Sequence, residues 1–135
     1  MRRVDALIQA LRAVLEQWPA VRAAWLFGSR VAGTAGPLSD VDVGVLGLAS
    51  ATLDDLALLS TELGRAAGVK TDVVVVERAS PVLAMQISGG GVRFYAPDDG
   101  AADDWEERAL RRYLGTAELR KIVSSYVSAD LSERR

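Results

Sequence analysis

The sequence predicts an α+β domain in which a mixed sheet of about four strands is flanked by helices. The chain has 135 residues, enough for one ordinary domain. Half of the residues are apolar and a quarter are charged, which is typical of folded globular proteins. The apolar pattern alternates between helical and strand periods in the order α-β-β-α-β-α-β-α. We expect a single domain over residues 1–135, with its core at about 15–95 and a helical segment at about 101–130.

The first 45 residues predict one helix and two strands. Apolar side chains recur at helical spacing over Val4–Trp18, and Pro19 ends the pattern. Ala24–Phe27 is a short apolar run that reaches a Gly-Ser turn, as in a buried strand. Valine then alternates with polar or small residues over 40–45, which predicts the second strand.

A second helix and a third strand follow. Thr52 and Asp55 have the spacing of a capping box, and Gly68 ends the helical pattern that they open. Asp72–Val76 is β-branched and almost continuously apolar. Such a run is typical of a strand covered on both faces, so we predict that it lies at the centre of the sheet.

The last elements are a short helix, a short strand and a charged helical segment. Ser80 with Pro81 predicts a helix start, and the helix is expected to end at about Ser88, before a run of glycines. Val92–Tyr95 predicts the fourth strand. In the helical segment that follows, Trp105 is expected to pack against the sheet or a partner.

Composition excludes several kinds of chemistry. Cysteine and histidine are both absent, which removes disulfides, thiol nucleophiles, Ser-His-Asp triads and zinc sites built on these residues. The net charge of −2 does not indicate a DNA-coating surface, so no direct nucleic-acid partner is expected. No segment has the run of about twenty apolar residues that spans a bilayer. We therefore expect a cytoplasmic protein without a membrane partner.

Three aspartates form the first candidate site. Asp40 and Asp42 are two residues apart in a predicted strand, so their side chains leave the same face, with Cα atoms about 7 Å apart. Asp72 begins the next predicted strand and can join them from the neighbouring position. Clustered carboxylates repel one another unless a cation lies between them, and Mg²⁺ prefers such oxygen ligands. The pattern therefore favours metal-assisted phosphoryl transfer.

A glycine-serine pair forms the second candidate site. Gly28 and Ser29 follow a buried strand, where glycine lets a phosphate approach the backbone and the serine hydroxyl can donate to it. Arg30 is a further candidate for the same anion. Each signal alone has an ordinary explanation: Gly-Ser is usually a turn, Asp-x-Asp is usually a solvated strand edge, and Asp72 could pair with Lys70. Their combination in this order favours a site that binds a phosphate and a metal ion.

These residues resemble the signature of the minimal nucleotidyltransferases of the DNA polymerase β superfamily, and more closely the MntA-type antitoxins of HEPN/MNT toxin–antitoxin pairs. The similarity covers about residues 15–95. Many relatives have an arginine before the second glycine of the loop, where this chain has Ala32. The matching motifs are Leu26–Arg30, Gly33, Leu38–Val43, Thr71–Val75, Ser80-Pro81 and Gly91–Tyr95.

The resemblance implies a polymerase-β-like nucleotidyltransferase fold and a set of site residues. Gly28 and Ser29 are expected to bind the nucleotide phosphates, and Arg30 and Ser39 are counted with them as nucleotide-binding candidates. The co-substrate implied is ATP. The expected metal ligands and catalytic residues are Asp40, Asp42 and Asp72.

The same resemblance implies a reaction. Asp40 and Asp42 are expected to bind two Mg²⁺ ions, while Asp72 completes the acceptor-side ion and helps to deprotonate the attacking hydroxyl. AMP is then expected to move to a tyrosine of a cognate HEPN ribonuclease toxin, which silences the toxin. Two alternatives stay open: an antitoxin that neutralises its partner by binding alone, and a nucleotidyltransferase that modifies a small molecule.

Overall fold

Residues 2–115, as far as the structure describes them, form four strands and four α-helices in the predicted order. The structure is a computed structural model, and it describes residues 2–28, 40–115, 121–122 and 124–126. None of the helices within these ranges is long and apolar enough to cross a membrane. The elements are α1 (Arg2–Leu15), β1 (Ala23–Phe27), β2 (Val41–Leu46), α2 (Leu53–Ala67), β3 (Thr71–Val75), a 3₁₀ turn (Val76–Arg78), α3 (Pro81–Gly90), β4 (Val92–Tyr95) and α4 (Asp99–Leu114).

The strands form one mixed sheet in the order β3-β2-β1-β4. β1 is antiparallel to both β2 and β4, whereas β2 and β3 are parallel and joined by α2 as a crossover. A parallel pair needs such a crossover, because a tight hairpin can join only antiparallel strands. The predicted α+β class, with a four-stranded mixed sheet flanked by helices, is confirmed.

The prediction of a central third strand is wrong. β3 lies at the edge of the sheet and pairs with β2. Valines follow one another in this edge strand because both of its faces are covered. Val73 and Val75 pack into one core, and Val74 packs into the other. Val76 belongs to the following 3₁₀ turn, where it is fully buried.

Two hydrophobic cores lie on opposite faces of the sheet. The first joins alternate residues of the sheet to buried leucines of α1 and α2. The second joins the other alternate residues to α3 and α4. Because side chains alternate along each strand, residues of β1 such as Leu26 and Trp25 enter different cores.

A pair of tryptophans fixes α4 to the sheet. The rings of Trp25 and Trp105 lie 4.7 Å apart between centroids and are tilted by 48°. Trp25 Nε1 donates to Glu106 Oε1 at 2.9 Å, and Arg93 Nη2 donates to Glu106 Oε2 at 2.6 Å. These contacts join α4 to β1 and β4, and they confirm that Trp105 packs against the sheet.

The ends of the helices follow their capping residues. The predicted capping box is present, with hydrogen bonds in both directions between Thr52 and Asp55, and Gly68 ends α2 in the left-handed conformation with φ 76°. Ser80 caps α3, which extends two residues beyond the expected end and stops at Gly91. α1 ends at Leu15, earlier than predicted.

The C-terminal segment is described in part. α4 ends at Leu114 with Gly115 as its C-cap. Residues 121–122 and 124–126 are helical. Residues 116–120, 123 and 127–135 lie outside the described ranges.

We expect Trp105→Ala to lower the free energy of unfolding by about 3–5 kcal/mol, because it removes a buried ring from the contact between α4 and β1. Urea denaturation measures this loss. The matched control is Leu110→Ala on the same helix, whose side chain is 44% exposed. That change should stay within about 0.5 kcal/mol. Equal effects of the two substitutions would contradict the assigned packing.

Candidate active site

The acidic residues meet at the end of the sheet where β1 ends and β2 and β3 begin. Asp42 lies directly opposite Asp72 in the parallel register of β2 and β3. On its other side Asp42 lies opposite Phe27, the last residue of β1. Adjacent strands are about 4.8 Å apart, and both carboxylates are half-buried. The predicted juxtaposition of Asp42 and Asp72 is therefore present.

Asp40 lies just before β2 and not within it as predicted, and it is exposed. Its Oδ2 atom lies 3.8 Å from Lys70 Nζ. The sequence had suggested Lys70 as a partner for Asp72, but the ion pair that the structure contains joins Lys70 to Asp40. Lys70 is thus a residue of this site that sequence reasoning did not assign. Its two-residue spacing from Asp72 was the signal that could have revealed it.

Electrostatic repulsion acts on Asp42. Burial raises the pKa of its carboxyl, and the negative charges of Asp72 and Asp40 raise it further. Each cause disfavours the charged form, so a cation near the three groups would relieve both the burial cost and the repulsion.

The donor set fits a hard divalent ion such as Mg²⁺, which takes carboxylate oxygens and water. Within the described ranges, no three His, Cys, Asp or Glu side chains are already arranged to hold an ion together. The assignment of a metal to Asp40, Asp42 and Asp72 therefore depends on the chemistry of the donors and on their strand register.

Gly28 is fitted closely against Asp42. Its backbone has φ +91°, a conformation that favours glycine, and a Cβ atom at this position would lie 2.3 Å from Asp42 Oδ2. The glycine thus leaves room for the carboxylate of Asp42. The other predicted nucleotide-binding residues, Ser29, Arg30 and Ser39, lie outside the described ranges and stay predictions.

A second close glycine lets the 3₁₀ turn after β3 pack against the sheet behind the acidic pair. Gly44 faces the same side as Asp42, and a Cβ atom there would lie 2.9 Å from Val76 Cγ1 and 3.4 Å from Ile87 Cγ2. A Cβ atom at position 44 would crowd Val76 of the 3₁₀ turn, whereas its distance to Ile87 of α3 is an ordinary contact. Sequence reasoning interpreted Gly44 only as part of the strand alternation and missed this packing role.

A comparison with protein families decides the assignment. The family described as polymerase beta, nucleotidyltransferase matches residues 9–100, which is most of the chain and includes all three aspartates. The chain belongs to the polymerase beta nucleotidyltransferase family. It is accordingly a nucleotidyltransferase, and its acidic cluster lies within the matched region. The sequence has no significant match among curated proteins.

Solved structures show the same fold. A toxin–antitoxin structure with AMP-PNP matches with a TM-score of 0.74 and 23% identity, over 89% of this chain and 98% of that one. A structure of a tri-AMPylated Shewanella oneidensis HEPN toxin in complex with MNT antitoxin matches with a TM-score of 0.64 and 21% identity. The match covers 93% of this chain and 96% of that one. An MntA-HepT toxin–antitoxin structure matches with a TM-score of 0.65 and 21% identity, over 93% of this chain and 97% of that one. The polymerase-β-like nucleotidyltransferase fold and the resemblance to MNT antitoxins are thereby confirmed.

We expect Asp42→Asn to raise the free energy of unfolding of the chelator-treated protein at pH 7. The pKa of Asp42 is raised in the folded state, so the ionised carboxylate destabilises the fold above that pKa. The gain should disappear below the ordinary value of 3.8, where the carboxyl is protonated in both states. Urea denaturation at the two pH values measures the difference, and a loss of stability at pH 7 would contradict it.

We expect Gly28→Ala to displace the carboxylate of Asp42 and to lower nucleotidyl transfer on the order of 100-fold. The matched control is Gly68→Ala. Gly68 also has positive φ, but a Cβ atom there meets nothing within 4 Å. Both changes should cost about 1 kcal/mol of stability through backbone strain. If both variants keep full activity, the close approach of Gly28 to Asp42 has no catalytic role.

Proposed function

We propose that this protein is an Mg²⁺-dependent adenylyltransferase that moves AMP from ATP to a tyrosine hydroxyl of a HEPN-domain toxin, in the cytoplasm, and so acts as its antitoxin. The observation that carries the proposal is the register of β2 and β3, which sets Asp42 opposite Asp72 and brings Asp40 close to them. Gly28, at the end of β1, lies directly against Asp42.

The choice of nucleotide and acceptor is supported by the proteins that the chain resembles in fold. One of those structures contains a toxin–antitoxin with AMP-PNP, an ATP analogue. Another contains a tri-AMPylated HEPN toxin with its MNT antitoxin. Their folds cover nearly the whole of this chain, so the same architecture is compatible with adenylyl transfer to a protein.

The metal is assigned to the three carboxylates. Asp40, Asp42 and Asp72 would hold Mg²⁺, which when bound supplies positive charge to the phosphates and to the leaving pyrophosphate. Gly28 lets the phosphates approach the backbone at the end of β1. The sequence has no histidine to serve as the general base, and we assign that role to a carboxylate of the cluster.

Asp72 is the carboxylate that we assign to the acceptor. It lies on the edge strand β3, on the side of the acidic pair away from β1. In the reaction the tyrosine oxygen forms a bond to the α-phosphorus, and the bond from that phosphorus to the pyrophosphate oxygen breaks. The tyrosine proton passes to Asp72, and pyrophosphate leaves.

The proposal is tested by co-expression with the product of the neighbouring gene, followed by intact mass spectrometry of that partner. We expect a gain of one or more AMP units with the wild-type protein and none with Asp40→Asn. The control is Asp104→Asn, an exposed aspartate on α4 away from the site, which should modify the partner like wild type.

Other outcomes identify the alternatives. An unmodified partner that forms a stable complex with both wild type and Asp40→Asn, and is neutralised by both, indicates an antitoxin that acts by binding. An unmodified partner without any complex indicates a different acceptor, such as a small molecule. Either result would overturn the proposal.

A further inference from the structure

Lys70 occupies a defined position in the acidic cluster. Its backbone carbonyl accepts a hydrogen bond from the N–H of Val41 at 3.0 Å, where β2 begins to pair with β3. Extended by one residue, the same register sets Asp40 across from Lys70, two rows before Asp42 and Asp72 and separated from them by the Val41–Thr71 row. The ammonium of Lys70 consequently stands beside a proposed metal ligand because of strand register, and not through a chance surface contact.

Asp42 and Asp72 leave the same face of the sheet as paired residues, and the ion pair of Asp40 with Lys70 precedes them on the same two segments. Asp40 and Asp42 are two residues apart on one chain segment, as are Lys70 and Asp72 on the other. Three of the four groups are negative and one is positive. Within the described residues, the ion pair made by this cluster is the one between Lys70 Nζ and Asp40 Oδ2, at 3.8 Å.

We propose that Lys70 is the built-in counter-ion of the acidic cluster: its ammonium positions Asp40 and competes with the divalent ion for that carboxylate. This inference rests on the metal site of the proposed function. An ion that binds Asp40 through Oδ2 must displace Lys70 Nζ from that oxygen, and an ion that binds through Oδ1 must still tolerate a positive charge within a few ångströms. Lys70 thus weakens the binding of free metal ion.

The displacement is easy because the pair is accessible. The side chains of Lys70 and Asp40 are 72% and 46% exposed, so water screens the contact and replaces it readily. Lysine also has a flexible four-carbon stem that can move its charge aside. Lys70 therefore tunes metal affinity without blocking the site.

The test is a titration of the full chain with Mn²⁺ alone, without nucleotide, by isothermal titration calorimetry. Removing one positive charge at this distance in a solvated site should make Lys70→Met bind Mn²⁺ roughly three- to tenfold tighter. Lys70→Arg keeps the charge and should bind like wild type. Unchanged urea denaturation of each variant at the same pH shows that the fold is intact.

Arg65→Met is the matched control for net charge. Arg65 lines the same groove as Lys70, between α2 and the start of β3, but makes no ion pair with the aspartates in the part of the chain that the structure describes. Its loss should change Mn²⁺ affinity less than twofold. An equal gain in Arg65→Met and Lys70→Met would show that overall charge is responsible, and it would overturn the role of Lys70.

Asp42→Asn separates the two proposals. If this variant loses Mn²⁺ binding while Lys70→Met binds like wild type or more weakly, the metal site stands and the role of Lys70 is wrong. If Mn²⁺ binds equally to wild type and Asp42→Asn, or to neither wild type nor Lys70→Met, the metal site of the proposed function fails as well. Binding by Lys70→Met where wild type binds nothing measurable would support competition by Lys70.

Discussion

The parallel register of β2 with β3 is the constraint on which the site depends. It sets Asp42 opposite Asp72, and Lys70 precedes this pair at the position of Asp40. A slip of one residue would turn Asp72 to the other face, into the leucine-rich core between the sheet and α2. The register is fixed where β3 begins, since Gly68 ends α2 just before it and the Ser60 hydroxyl donates to the carbonyl of Thr71.

The face that carries the acidic groups is covered by α3 and α4 farther along the strands. Gly44, two residues beyond Asp42, allows Val76 of the 3₁₀ turn to pack closely on the sheet, and the tilted rings of Trp25 and Trp105 hold α4 against β1. Glu106 joins this packing to β4 by accepting from Trp25 and from Arg93. The apolar cover therefore stops at the row where the carboxylates begin, which leaves Asp42 half-buried and not sealed. Partial burial strengthens the electrostatic interactions among the carboxylates.

Local signals in the sequence were sufficient for most elements, because capping residues, glycines and alternation act within a few residues of the chain. The box of Thr52 and Asp55 and the cap at Gly68 are examples. The position of β3 could not be predicted in this way. A continuous run of apolar residues indicates that both faces of a strand are covered, but it does not indicate whether the strand has one neighbouring strand or two. The ion pair of Lys70 with Asp40 also depends on pairing between distant segments, so composition and spacing alone left its partner open.

The edge position of β3 bears directly on the kind of acceptor. If β3 were central, another strand would lie beside Asp72 and restrict approach from that side. At the edge, Asp72 has β2 on one side, and on the other side the described residues place no further strand. Asp42 lies inward, between Asp72 and the end of β1 with Gly28, where the nucleotide phosphates are proposed to bind. In the proposed reaction the two carboxylates of one row therefore face different reactants, and the one assigned to the protein acceptor lies on the edge strand.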